Sequence, residues 1–204
     1  MRWLDGITDT MDTKSYVMEE AAKLFYENGI KAVRMDDIAV HCSMSKRTIY
    51  ELFESRERLL ESCTEMMMGK LGKMYQEIAS KAQNVLEEFW LVFSASFDKP
   101  KIGRLLSELD KLYPALAKRV SEKHYYDTLD LNHTKLRVGV NEGLILPELD
   151  LNYFAVTFTN HIFGLPAAEK YVPSDPRKAI IIYLRGMATD KGREFIDKQL
   201  LKIE

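Results

Sequence analysis

Residues 42–58 read CSMSKRTIYELFESRER, and the reading of this run decides the fold. Ile49 and Phe53 stand four apart, one helical turn, and on a wheel drawn for residues 45–54 both point towards whatever precedes the segment. Arg47, Thr48 and Glu51 point the opposite way, with Lys46 and Tyr50 on one flank. Ser45 sits where an N-cap belongs, and Ser55 does the same for the helix that follows. The run is therefore a short helix with an apolar underside and a polar, largely cationic outer face. The whole chain carries a formal net charge of -2, so its basic character is focused here rather than spread.

The same period continues on both sides. Val17, Ala21, Leu24 and Phe25 fall at i, i+4, i+7 and i+8, with Asn28-Gly29 as a stop. Met35, Ile38, Ala39 and Cys42 repeat at i, i+3, i+4 and i+7. Beyond Ser55 a long helical pattern begins at Leu59, Leu60 and Cys63 and runs to about residue 82. Segments 83–97, 101–112, 115–142, 150–170 and 176–189 follow, separated at Pro100, Pro114, Leu146-Pro147 and Val172-Pro173-Ser174. No stretch sustains a period of two. The expectation is an all-α protein of about nine helices: a loose arm at 1–12, a three-helix head at 13–54, and a larger helical bundle at 55–204. Whether Met11 is the natural start is left open.

Composition narrows the class. A hydrophobic share of 46% with 29% charged residues supports a packed core rather than disorder. No run of about eighteen apolar residues exists to cross a membrane, and the acidic N-terminus has no apolar signal core. Two cysteines among 204 residues suit a reducing cytoplasm, the expected location. Cys42 falls on the packed face of its helix and reads as a core thiol. Gly-x-Ser-x-Gly, a phosphate-binding glycine loop and Cys-x-x-Cys are all missing, so no enzyme constellation or cofactor is expected. Glu122, His124 and His133 do not share a single-face spacing suited to a metal.

Two short helices with matched apolar faces around a turn form a helix–turn–helix, and its outer face suits a DNA major groove. Arg47 can donate two hydrogen bonds to guanine, Thr48 can touch a thymine methyl or a phosphate, and Lys46 and Tyr50 can reach flanking phosphates. Arg56, in the first turn of the next helix, is placed to add a phosphate contact.

At these residues the chain resembles the tetracycline-repressor-type (TetR) family of transcriptional regulators. The run AAKLFYENGIKAVRMDDIAVHCSMSKRTIYELFESRERLLE carries Ala-x-x-Leu-Phe-x-x-x-Gly, Asp-Ile-Ala and Ser-Lys-x-Thr-Ile-Tyr-x-x-Phe in the family's order. The resemblance is specific over residues 17–60; the tail LRGMATDKGREFID is similar to the closing helices of some members. It implies a homodimer that grips a double-stranded DNA operator and answers to a small-molecule effector held by the C-terminal domain. It also implies that Lys46, Arg47, Thr48, Tyr50 and Arg56 contact DNA, with Ser45, Glu51 and Leu52 at the same surface. Three departures matter. Arg34 replaces the usual capping threonine of the second helix and adds a phosphate-seeking charge. Ser43 replaces the turn glycine, at a cost of roughly 1 kcal/mol if it turns left-handed. Glu51 replaces a common aromatic. Arg34 and Glu51 keep a second reading open, a carrier or sensor of the same fold without operator binding.

The back half is rich in Met and aromatic side chains, most of them plain core. A mostly apolar effector would be lined by Met67, Phe89, Phe93, Tyr126 and Phe158, with His133 and His161 orienting a polar group. Segments 153–165 and 179–187 are apolar nearly all round, more than one buried stripe needs. Dimerisation is therefore expected through residues 150–189, with Gly164 and Gly186 permitting close approach.

Overall fold

The computed structural model describes residues 12–96, 100–163 and 176–200. They form ten α-helices and no strand: α1 (Thr13–Asn28), α2 (Met35–His41), α3 (Lys46–Phe53), α4 (Arg56–Ala79), α5 (Val85–Ser96), α6 (Pro100–Leu112), α7 (Pro114–Asn141), α8 (Leu151–Phe163), α9 (Pro176–Met187) and α10 (Asp190–Phe195), the last running into a π-helical turn at Ile196–Leu200. The all-α expectation holds. The tenth helix comes from the tail after Thr189, which caps α10 by accepting the Gly192 N–H at 3.1 Å. The expected N-terminal arm and Met11 lie outside the described residues, apart from Asp12, whose carboxylate caps α1 at Ser15 N. Gly164 and Phe163's side chain lie outside them too.

Pro100, Pro114 and Pro176 do more than break helices. Each is the first residue of one, where its fixed φ suits the turn and its missing N–H has no partner to lose.

The chain divides into two compact units. The first comprises the described part of Met1–Gly72 with Pro100–Glu122, more of the chain than the expected 13–54 head. The apolar stripes of α1, α2 and α3 converge there: Val17, Phe25, Ile38 and Ile49 are all essentially sealed from solvent. Residues Leu59, Cys63 and Met67 follow at intervals of four along α4 and close the same core. Burying each such side chain contributes about 1.5–3 kcal/mol. The helix α6 joins this unit because it satisfies the end of α1. The Arg104 guanidinium donates to Glu27 O at 3.0 Å, and the Glu108 carboxylate accepts the Lys31 N–H at 3.2 Å. Gly29 makes that approach feasible. Its φ is 87°, and a Cβ there would lie 2.7 Å from Glu108 Oε1. Cys42 and Cys63 are buried free thiols, and burial pushes the pKa of both upward.

Glu61 of α4 supplies a charge lock within the same unit. Burial opposes its ionisation, but hydrogen bonds from Arg119 at 3.0 Å and Arg58 at 3.1 Å hold its pKa below the ordinary 4.5. A depressed carboxyl stabilises the fold above its unfolded pKa and loses that contribution as pH falls through the lower folded value. Glu61→Gln is therefore expected to lower stability at neutral pH and to flatten the acid limb below about pH 4.5. Denaturant midpoints taken across that range measure both effects.

The second unit comprises the described parts of Lys73–Lys99 and Lys123–Glu204. Its centre is α5, packed on α9 and α8, with Phe89 and Phe158 stacked at 4.5 Å between centroids. Asn132 and Thr159 form a buried polar pair at 3.0 Å. Residues flanking Ile145 and Ala188 make an antiparallel bridge: Thr189 N donates to Leu144 O, and Leu146 N to Met187 O, each at 3.0 Å. No helix among the described residues is long and apolar enough to cross a membrane.

Candidate DNA-binding site

The helix α3 is built as its sequence requires. Ile49 and Phe53 are buried, and the Arg47 side chain is 90% exposed. Ser45 is the N-cap, its Oγ accepting the Thr48 N–H at 3.0 Å and pairing with Thr48 Oγ1 at 2.8 Å. These two residues thus serve the helix end first. Tyr50 is exposed on the flank beside Lys46. Leu52 is half-buried against the first unit's core rather than free at the outer face.

The turn ahead of α3 takes the left-handed form. Ser43 has φ 54°, so an L side chain occupies a position that favours glycine. Ser43→Gly is expected to stabilise the chain by about 0.5–1 kcal/mol and raise the thermal midpoint by a few degrees. Comparison of the two melting curves checks this.

Arg34 ends the extended entry to α2 without a side-chain oxygen to offer as a cap. Asp37 compensates from inside the helix, its carboxylate accepting the Arg34 N–H at 2.7 Å. The Arg34 side chain itself is exposed.

Both cations of α3 carry carboxylate partners. Lys46 Nζ lies 2.9 Å from Asp36, which raises the lysine pKa, and Arg47 Nε lies 2.8 Å from Glu51. Such exposed pairs contribute between nothing and about 1 kcal/mol, so a phosphate or a base edge can displace either carboxylate. Sequence reading missed Asp36, because its partner is ten residues away on another helix. It also missed Lys31 in the loop between α1 and α2. One more cation beside Arg34, Lys46, Arg47 and Arg56 carries no distinctive local signal.

Arg56 has structural partners that its position in the sequence does not announce. Its guanidinium donates to Ile30 O at 2.6 Å, to Val33 O at 3.0 Å and to the Tyr113 hydroxyl. It also lies over the rings of Phe25 and Tyr113. The loop after α1 leaves those two carbonyls without helical partners, and the planar fork of Arg56 satisfies both. These bonds engage both Nη atoms in holding the loop after α1.

The residues expected to line an effector site fall in both units. Phe89, Phe93 and Phe158 share the second unit's core, whereas Met67 belongs to the first unit's core. Tyr126 is exposed, His133 is half-buried, and the side chain of His161 lies outside the described residues. The spacing 59, 63, 67 turns Met67 to the same side as Leu59, which explains its place.

A helix–turn–helix head on an all-helical body defines a class, and comparison with known proteins agrees. Residues 17–63 match the family model for bacterial regulatory proteins, tetR family. The chain is 27% identical over 144 residues to the HTH-type transcriptional repressor KstR2 of Mycolicibacterium smegmatis, covering 67% of this chain and 69% of that protein. It is 20% identical over 189 residues to the negative regulator IcaR of the icaADBC biofilm operon of Staphylococcus aureus, covering 84% of this chain and 99% of that one. Its fold is shared with a TetR-family regulator from Cytophaga hutchinsonii, with a TM-score of 0.74 at 16% identity over 89% of this chain and 100% of that chain. Residues 17–63 thus carry the N-terminal domain of the tetR family of bacterial regulatory proteins, and the whole chain is similar to transcriptional regulators that share it.

Proposed function

We propose that the chain is a ligand-responsive repressor that binds a pseudo-palindromic operator as a homodimer. The observation that carries this reading is the two-faced α3: Ile49 and Phe53 are locked into the core while Arg47 stands clear of it. Arg47, Thr48 and Glu51 would read base edges, and Lys46, Tyr50 and Arg34 would hold phosphates. The relatives named above are repressors or negative regulators, which supports the direction of control.

Dimerisation is supported by the apolar groups that α8 and α9 leave on the surface. Tyr153 is 63% exposed and Ile182 77% exposed, with Val156 and Tyr183 beside them in their helices. Ile180, Ile181 and Leu184 already fill the core, so this surplus answers to something outside the single chain. A two-fold dimer would set two heads at half-sites about one helical turn apart. An apolar effector among Phe89, Phe93 and Phe158 would shift that spacing. Effector and operator would then weaken each other equally, by about 1–3 kcal/mol.

Selection of bound duplexes from a random pool tests the reading. A pseudo-palindrome whose affinity falls steeply with salt is the expected product. On that duplex, Arg47→Ala should cost about 1–3 kcal/mol and relax one base position, while Lys46→Ala should weaken all sequences alike. The carboxylate partners of both α3 cations favour one rival, a carrier of the same fold without operator binding. A folded dimer that enriches no duplex, with or without added ligands, would establish the rival.

A further inference from the structure

A cleft of about 550 Å³ opens beside the recognition helix, inside the first unit. Lys31 and Arg34 come to it from the loop after α1, Lys46 and Tyr50 from α3, and Arg56 from the start of α4. Asp36 is the one carboxylate among its lining residues, so four cations face a single anion in a protein that is negative overall. The cations are not equivalent. Arg56 is fastened by two carbonyls and a tyrosine hydroxyl, so it contributes a fixed positive field from the wall. Lys46 is held by Asp36 at 2.9 Å. Among the described residues the Lys31 ammonium and the Arg34 guanidinium have no ion-pair partner. The geometry is that of an anion site with its own carboxylate seated provisionally on one of the donors.

We propose that this cleft seats a phosphate group of the DNA backbone, with Lys31 as a contact outside the helix–turn–helix motif and Asp36 as the group the phosphate displaces from Lys46. The proposal rests on the DNA-binding reading above and extends its footprint from the outer face of α3 to the loop after α1. Phosphate is the anion that fits. It accepts from several donors at once, and Tyr50 adds a neutral hydroxyl beside the charges. Lys31 therefore positions the head on the duplex without reading sequence. Asp36 acts in the opposite sense. It keeps Lys46 occupied until a backbone arrives and so lowers affinity for all duplexes alike.

The test uses the full chain, the duplex selected above and a scrambled duplex of the same length, titrated over a range of salt. Lys31→Ala is expected to weaken both duplexes by about fivefold near 0.15 M salt and to reduce the salt slope by about 1, the loss of one phosphate contact. Asp36→Asn is expected to strengthen both. Lys111→Ala, which removes an exposed cation outside the cleft, is expected to change little, and melting curves confirm that all three variants fold. If Lys31→Ala behaves like Lys111→Ala, or Asp36→Asn weakens binding in a protein that still melts normally, the cleft does not hold backbone phosphate. If the unaltered chain binds neither duplex, the DNA-binding reading itself fails, and this proposal with it. Inorganic phosphate, added at constant ionic strength, separates the two sources of the anion. It is expected to compete no better than chloride. Competition that Lys31→Ala abolishes would assign the cleft to a free phosphate compound instead.

Discussion

Replacing Arg56 by Ala is expected to destabilise the first unit by about 3 kcal/mol, since it strips charged hydrogen bonds from two loop carbonyls and a tyrosine hydroxyl. For a chain of this size the thermal midpoint should fall by roughly 6–12 °C. Arg56→Lys should recover little of the loss, because an ammonium keeps the charge but cannot span the carbonyls of Ile30 and Val33 as the guanidinium fork does. At a temperature where Arg56→Ala is still folded, its salt slope for DNA should fall by less than the value of about 1 that a direct phosphate contact carries, because Arg56 acts on the cleft only through its field. The opposite pattern, an unchanged midpoint with a slope reduced by about 1, would return Arg56 to the phosphate role that its position in the sequence implies.

The second large effect concerns assembly. Tyr153→Glu combined with Ile182→Glu is expected to give a folded monomer, seen by sedimentation at micromolar concentration. Both side chains are mostly exposed in the single chain, so neither substitution opens its core. A buried pair of glutamates facing their symmetry mates would be strongly unfavourable in a dimer. Loss of the second head should weaken binding to a two-half-site duplex by about a hundredfold or more, while leaving binding to a single half-site unchanged. A variant that stays dimeric would place the interface away from α8 and α9.

The parts of this protein that sequence reading captured are those governed by near neighbours. The stripes of α1 to α3, the caps at Ser45 and Ser55, the stop at Gly29 and the left-handed Ser43 all depend on residues within one or two turns. The outward face of α3 follows from the same periodicity. What escaped was set by partners far along the chain. Arg56 looked free because Tyr113 lies 57 residues on, and the carbonyls it serves belong to a loop whose shape a sequence does not display. Asp36 entered no reading of the sequence, because only the fold sets it against Lys46. The bridge between Leu144 and Thr189 left no trace in either segment's pattern. Effector candidates chosen by residue type carry little positional information for a related reason. Bulky apolar side chains fill cores and line cavities alike, and only the packing assigns Met67 to one unit and Phe89 to the other.

The joint between α3 and α4 has a mechanical consequence. Glu54 takes φ 62° and ψ -45°, and Ser55 N donates back to Phe53 O at 2.6 Å, a γ-turn of the rare, strained kind. Two residues so constrained leave no slack between the helices. On the effector mechanism proposed above, such a joint would act as a crank without play, passing a rotation of the first turn of α4 on to α3. A longer or glycine-rich connection would dissipate the same motion as loop entropy. Glu54→Gly would relieve the strain and loosen the joint together, so on that mechanism a gain in stability would come with a loss of coupling between α4 and α3.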